Sequence, residues 1–253
     1  MSTRTSSNLS FLTALLILLN VACSSQRSPV YYNVASSELD STLVFDAEVQ
    51  QLIEPYTLGI QDEMNRVIGR FEHDMFKKKP EGELGNFMCD AALFIANKSY
   101  DANADLCIMN YGGIRTQHVP AGDVTVEQMF EIMPFENELV VLTMTGSGLL
   151  EFFQRIARSR GWPISKEVEL QIANGELLSS LVNGEEVDKD RRYRILLSDY
   201  VANGGDQMSF LRDVPRDDYQ VKLRDAMIEY VEYNTAQGNE INAGITKRII
   251  NAE

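Results

Sequence analysis

Residues 104–115 read Ala-Asp-Leu-Cys-Ile-Met-Asn-Tyr-Gly-Gly-Ile-Arg (ADLCIMNYGGIR). A short apolar run that ends at paired glycines predicts a buried strand, Ala104 to Met109, stopping in a tight turn. Outward from it the pattern keeps changing period. Gly85 to Asn97 (GNFMCDAALFIAN) reads as a helix and Thr125 to Phe130 as a shorter one. Glu138 to Thr145 (ELVVLTMT) alternates like a strand facing a core, and Gly146, Ser147 and Gly148 punctuate it before a helix from Leu149 to Arg158. Arg194 to Leu197 is a further strand, and Asp217 to Gln237 is expected to be a closing helix that ends at Gly238. Before the quoted stretch, apolar positions from Asp46 to about Phe76 recur at three- and four-residue steps. They predict one long amphipathic helix packed across the domain's face, with Pro55 and Gly59 as irregularities. Strands and helices interleave without a regular repeat, so the fold class is α+β or mixed α/β, in one domain.

The chain has 253 residues, 44% hydrophobic and 24% charged, which is globular material. Its net charge of -14 excludes a general phosphate-backbone binder, which needs clustered Lys and Arg; no nucleic-acid polymer is expected as a partner. A mononucleotide can still be held through its base.

The N-terminus reads as a leader. Arg4, the apolar run Phe11 to Val21 and Ala22 before Cys23 are laid out as a signal peptide, with a run too short for a membrane span. Cys23 resembles the acylated cysteine of a bacterial lipobox, although Asn20 stands where Leu is usual. Residues 1–22 are therefore expected to be a lipoprotein signal, 23–45 the lipidated cysteine and a tether with a short strand at Ser41 to Phe45, and 46–253 the domain. The implied location is the bacterial cell envelope, membrane-anchored through the N-terminal lipid; secretion without a lipid is the alternative. Cys89 and Cys107 lie at no ligand spacing and are expected as buried free thiols.

Catalytic machinery is hard to assemble from these residues. His73 and His118 are the two histidines, neither at ligand spacing with another, whereas a two-metal phosphohydrolase needs several imidazoles and carboxylates converging. There is no nucleophile elbow and no phosphate loop. No catalytic residue, metal ligand or cofactor is assigned to this chain. Recognition chemistry is present instead. Asn110 donates and accepts, Gly112 and Gly113 let backbone approach a ligand, and Arg115 offers a planar five-donor fork. Pro134 to Asn137 (PFEN) and Ser198 to Asp206 (SDYVANGGD) each put an aromatic, Phe135 and Tyr200, in a loop; the second adds Gly204, Gly205 and Asp206. Two rings, amides, a fork and a carboxylate suit a nucleoside or a sugar.

The ordered series LGNFMCD (84–90), NYGGIR (110–115), DVT (123–125), PFEN (134–137), Asn183-Gly184 and DYVANGGD (199–206) resembles the C-terminal domain of the 5'-nucleotidase family. The resemblance spans roughly residues 46–237. It implies a single α/β sandwich domain that binds the nucleoside part of a substrate, while a separate metallophosphoesterase domain carries two metal ions. Residue by residue, it places base stacking on Phe135 and Tyr200, polar contacts on Asn110 and Asn137, a substrate-binding arginine on Arg115, and ribose recognition on Asp206. Divalent metals are expected only in a partner catalytic domain.

This sequence departs from the pattern in three places. Lys78-Lys79-Pro80-Glu81 stands where many members have an arginine, Asn174 replaces a glycine after Gln171-Ile172-Ala173, and Gln207-Met208 replaces Gly-aromatic. The expectation is a nucleotide-recognition subunit for nucleotide catabolism whose metallophosphoesterase is a separate chain. A stand-alone nucleoside-binding lipoprotein and a structural lipoprotein that keeps only the fold are the alternatives.

Overall fold

The apolar helical pattern that starts after Asp46 breaks at Met64 in the computed structural model, which describes residues 46–252. The leader, Cys23, the tether and the strand expected at Ser41 to Phe45 lie outside the described residues. Helix α1 (Ala47–Met64) runs through Pro55 and Gly59. The expected continuation to Phe76 is corrected: strands β1 (Val67–Phe71) and β2 (Met75–Phe76) occupy it. Val67, Ile68 and Phe71 fit either period over so few residues, and pairing decides between them, because β1 aligns antiparallel with Gly122–Thr125. Gly69 helps fix this. A Cβ there would stand 2.4 Å from Thr235 Oγ1 and 2.5 Å from Val231 Cγ1, so the strand's backbone lies directly on the closing helix. The packing expected of α1 is corrected too: Val49, Leu52, Ile53, Tyr56 and Ile60 are exposed.

The chain continues through α2 (Glu83–Ser99), β3 (Leu106–Cys107), a 3-10 turn (Tyr111–Gly113), β4 (His118–Val119), β5 (Gly122–Thr125), α3 (Val126–Ile132) and β6 (Glu138–Thr145). After these come α4 (Gly146–Arg158), β7 (Val168–Ala173), β8 (Glu176–Val182), β9 (Glu185–Glu186), β10 (Arg192–Ser198), α5 (Asp199–Ala202), β11 (Arg216–Lys222), α6 (Leu223–Ala236) and β12 (Ile249–Asn251). Gly146 to Gly148 are the first turn of α4, capped by the Thr145 side chain, rather than a break before it. The closing helix starts later than expected, because Arg216 to Lys222 adds an edge strand to β6 before the chain turns into α6. Gly238 at φ 77° follows the C-cap, as a helix-ending glycine does.

The apolar pattern announces no strand between Lys166 and Glu186, yet β7, β8 and β9 form an antiparallel meander there. Its turns are Asn174-Gly175 and Asn183-Gly184, with every φ between 50° and 79°. Asn-Gly pairs supply that left-handed geometry, so Asn174 keeps the turn.

Two four-stranded sheets are present among the described residues, in the orders β11-β6-β10-β3 and β12-β7-β8-β9. The first is mixed: β6 runs antiparallel to β10 and β11, and β10 runs parallel to β3. It is buried on both sides. Leu139 and Val141 of β6, Leu196 of β10 and Cys107 of β3 point into a core built with α2, α3 and α6. Val140, Leu142, Ile195, Leu197 and Leu106 point into a second core against α4 and the β7–β8 strands. The fold is therefore an α/β sandwich, and each such side chain contributes about 1.5–3 kcal/mol by leaving water.

Candidate functional site

Because β3 and β10 are parallel and β6 is antiparallel to β10, the ends of β3 and β10 and the start of β6 lie at one end of the sheet. Ligands of open α/β sheets collect at the carboxyl ends of strands for this reason. Here three loops converge: the one after β3, the one between α3 and β6, and the one after β10. Asn110, Gly112, Gly113, Arg115, Phe135, Asn137, Tyr200 and Asp206, with Glu136, line a single open cavity of about 560 Å³. All six residues expected to contact a substrate are thereby brought together. Of the two loop glycines, Gly205 backs the Tyr200 ring, whereas Gly204 packs against Ser209 and Arg212 away from it.

The loops are tied to one another by side chains. Asn110, buried beneath the turn, donates from Nδ2 to Asp206 Oδ2 at 2.8 Å, and the Tyr200 hydroxyl donates to Asp206 Oδ1 at 3.1 Å. Asp199 makes the second tie: its Oδ1 accepts from Asn137 Nδ2 at 3.0 Å, from the Glu138 amide at 3.2 Å and from the Tyr200 amide at 2.7 Å. The ring of Tyr200 lies against Gly205, where a Cβ would come within 2.4 Å of Cε1. Phe135 and Tyr200 remain 42% and 44% exposed, and the Arg115 guanidinium carbon stands 5.6 Å from the centre of the Phe135 ring.

The turn that carries Asp206 is strained. Gly204 is at φ 91°, Asp206 at 50° and Gln207 at 67°. Gln207 thus adopts a left-handed backbone that glycine takes without strain, while Met208 is buried in the second core. Where an arginine was lacking before LGN, lysines gather instead. Lys77 Nζ donates to the Ile114 carbonyl at 2.7 Å and sits 4.3 Å over the Tyr111 ring, with Lys79 Nζ 4.8 Å from the same ring. Burial, then the nearby Arg115 charge, lowers the Lys77 pKa; burial also lowers that of Lys79.

Sequence reasoning missed Glu136, Asp199, Lys222 and Arg224. Glu136 pairs with Lys222 and Arg224, which hold its carboxyl down at about 2. Each of these residues acts across tens of positions of chain, so no local spacing announces it. Neither histidine enters the cavity: His118 bonds to Asp74 and stacks on Phe76. Among the described residues no group of three or more His, Cys, Asp or Glu is placed to hold a metal ion. The cavity offers aromatic faces, amides, two carboxylates and a guanidinium, a set suited to binding.

The fold and this site define an α/β sandwich with one open, polar and aromatic cavity at the end of its mixed sheet. The family model described as 5'-nucleotidase, C-terminal domain, matches residues 67–213, and the chain belongs to that family. It is 27% identical over 177 residues to the 5'-nucleotidase of Vibrio vulnificus (strain CMCP6), covering 66% of this chain and 31% of that protein. With Protein UshA of Escherichia coli (strain K12) it shares 29% over 127 residues, 49% of this chain and 23% of the relative. The chain thus spans a third or less of the length of these curated relatives. Among solved structures, the 5'-nucleotidase precursor from Thermus thermophilus superposes with a TM-score of 0.68 at 22% identity, over 81% of this chain and 43% of that one. At that identity the likeness shows the fold.

Proposed function

We propose that this domain recognises the nucleoside part of a nucleotide for a 5'-nucleotidase-type phosphohydrolase, and that a separate exported metallophosphoesterase chain performs the hydrolysis. The observation that carries the reading is the convergence of Phe135, Tyr200, Asn110, Asn137, Arg115 and Asp206 on one cavity. Phe135 and Tyr200 stack the base. Asp206 accepts the ribose hydroxyls; its oxygens, each already taking one donor, have lone pairs to spare. Arg115 faces the phosphate side, and Asn110 and Asn137 hold the polar edges. The metals of the catalytic partner would polarise the phosphoryl group and activate water; the described residues here supply no such cluster. Cys23 anchors the chain to the cell envelope by a lipid in this reading.

The charge of -14 favours recognition through the neutral base and sugar, since it repels free nucleotide anions at long range. Two stacks of about 1–3 kcal/mol each, offset by ordering costs, give a dissociation constant from roughly tens of micromolar to a few millimolar. Isothermal titration of adenosine is expected to saturate with the parent and to show no binding heat after Phe135→Ala and Tyr200→Ala are combined. Silence of the parent toward purine and pyrimidine nucleosides would refute the reading. The alternative is a stand-alone nucleoside binder without a hydrolytic partner. Release of phosphate from AMP by an exported metallophosphoesterase, raised on adding this chain, separates the subunit from the stand-alone binder.

A further inference from the structure

Arg224, in the first turn of α6, is only 3% exposed, and its fork is aimed at the loop that carries Phe135. Nη1 donates to the carbonyls of Met133 at 3.3 Å and Phe135 at 3.4 Å, and Nη2 donates to the Glu136 carboxylate. The guanidinium lies 3.8 Å over the ring of Phe130, at the end of α3. Its Nε is buried without a hydrogen-bond partner, since the Asp225 carboxylate is 4.0 Å away. A buried donor left unpaired is costly, so the side chain is placed for its other contacts. Neighbouring groups grip the same loop: the Leu223 amide donates to the Asn137 carbonyl at 2.9 Å, and Lys222 pairs with Glu136.

We propose that Arg224 is a positioning residue of the cavity, clamping the main chain of residues 133–136 from α6 and so setting where the Phe135 ring stands. The inference rests on the nucleoside reading above for its ligand. Only a planar fork reaches two carbonyls and a carboxylate at once while stacking on an aromatic face; a lysine ammonium has neither the plane nor the reach. Arg224 touches no ligand itself. Its effect passes through Phe135, and this distinguishes it from a residue that merely supports the fold.

The test is a double-mutant cycle read by adenosine titration, carried to millimolar ligand. Arg224→Met removes the fork, and Arg224→Lys keeps the buried charge without it. Both are made in the parent chain and in the Phe135→Ala chain, with circular dichroism confirming the fold. In the parent background each variant is expected to weaken binding about 5- to 10-fold, part of what deleting one stacked ring removes. In the Phe135→Ala background neither should weaken it further. Unchanged affinity in the parent background, or an equal loss with and without the Phe135 ring, overturns the proposal. Hydrogen exchange separates its failure from that of the nucleoside reading. Faster exchange in both variants, with or without ligand, of the hydrogen-bonded amides that flank the loop, Met133 on the Met129 carbonyl and Glu138 on the Asp199 carboxylate, supports the clamp, and unchanged exchange removes it. A parent chain silent to adenosine, guanosine and cytidine takes away the ligand, and with it any positioning role.

Discussion

Gln207 holds φ at 67°, directly after Asp206 at 50°, on the turn that presents the candidate ribose-binding carboxylate. A side chain in left-handed backbone costs about 1–2 kcal/mol relative to glycine, and glycine returns part of this, about 0.4–1 kcal/mol, through its freer unfolded chain. Gln207→Gly is therefore expected to stabilise the protein by up to about 1.5 kcal/mol, seen as a higher urea midpoint with an unchanged slope. A lower midpoint would mean that the exposed Gln207 side chain makes contacts worth more than the strain. At this scale the residues facing the cavity were legible, because aromatic, amide and glycine occur together in short motifs whose chemistry is local. Asp199, Glu136 and Arg224 were not. Asp199 meets Asn137 across 62 positions and Arg224 meets Glu136 across 88, and such pairings exist only once the sheet has folded.

Helix α3 delivers the chain into the Phe135 loop, and its start is set by a reciprocal cap. The Thr125 side chain accepts from the Gln128 amide, and the Gln128 side chain accepts from the Thr125 amide. Thr125→Ala is expected to cost about 1 kcal/mol in urea denaturation; a loss below about 0.3 kcal/mol would show that tertiary packing alone holds this end. Elements such as α2 and β6 were readable because their apolar periods are long enough to exclude the alternative. The 67–76 stretch and residues 217–222 read as helix for the opposite reason. Val67, Ile68 and Phe71 fit both periods, and the edge strand β11 is mostly polar, with a bulge between Asp218 and Lys222. The β7–β8–β9 meander left its clearest sign in its two Asn-Gly turns rather than in the strands.

Over the whole molecule, one mixed sheet divides two cores, so its inner strands are sealed from both sides. Cys89 on α2 and Cys107 on β3 lie in the first core as free thiols with no exposed surface. Burial pushes the Cys107 thiol well up, and its contact with Cys89 adds to this. A thiol held protonated and out of water does not react. Iodoacetamide should leave both cysteine peptides unlabelled in the native protein and label them along the global unfolding curve in urea. Labelling well below that transition would reveal a local opening of the sheet instead.

The two rings of the cavity each leave more than two-fifths of their surface in water. A guest gripped there is held like a tool by its handle, with its working end outward. Charges at that outer end stay in a high-dielectric medium, where a single guanidinium pulls weakly. Any chemistry that needs a dry, enclosed setting must therefore await a second surface that closes over the handle.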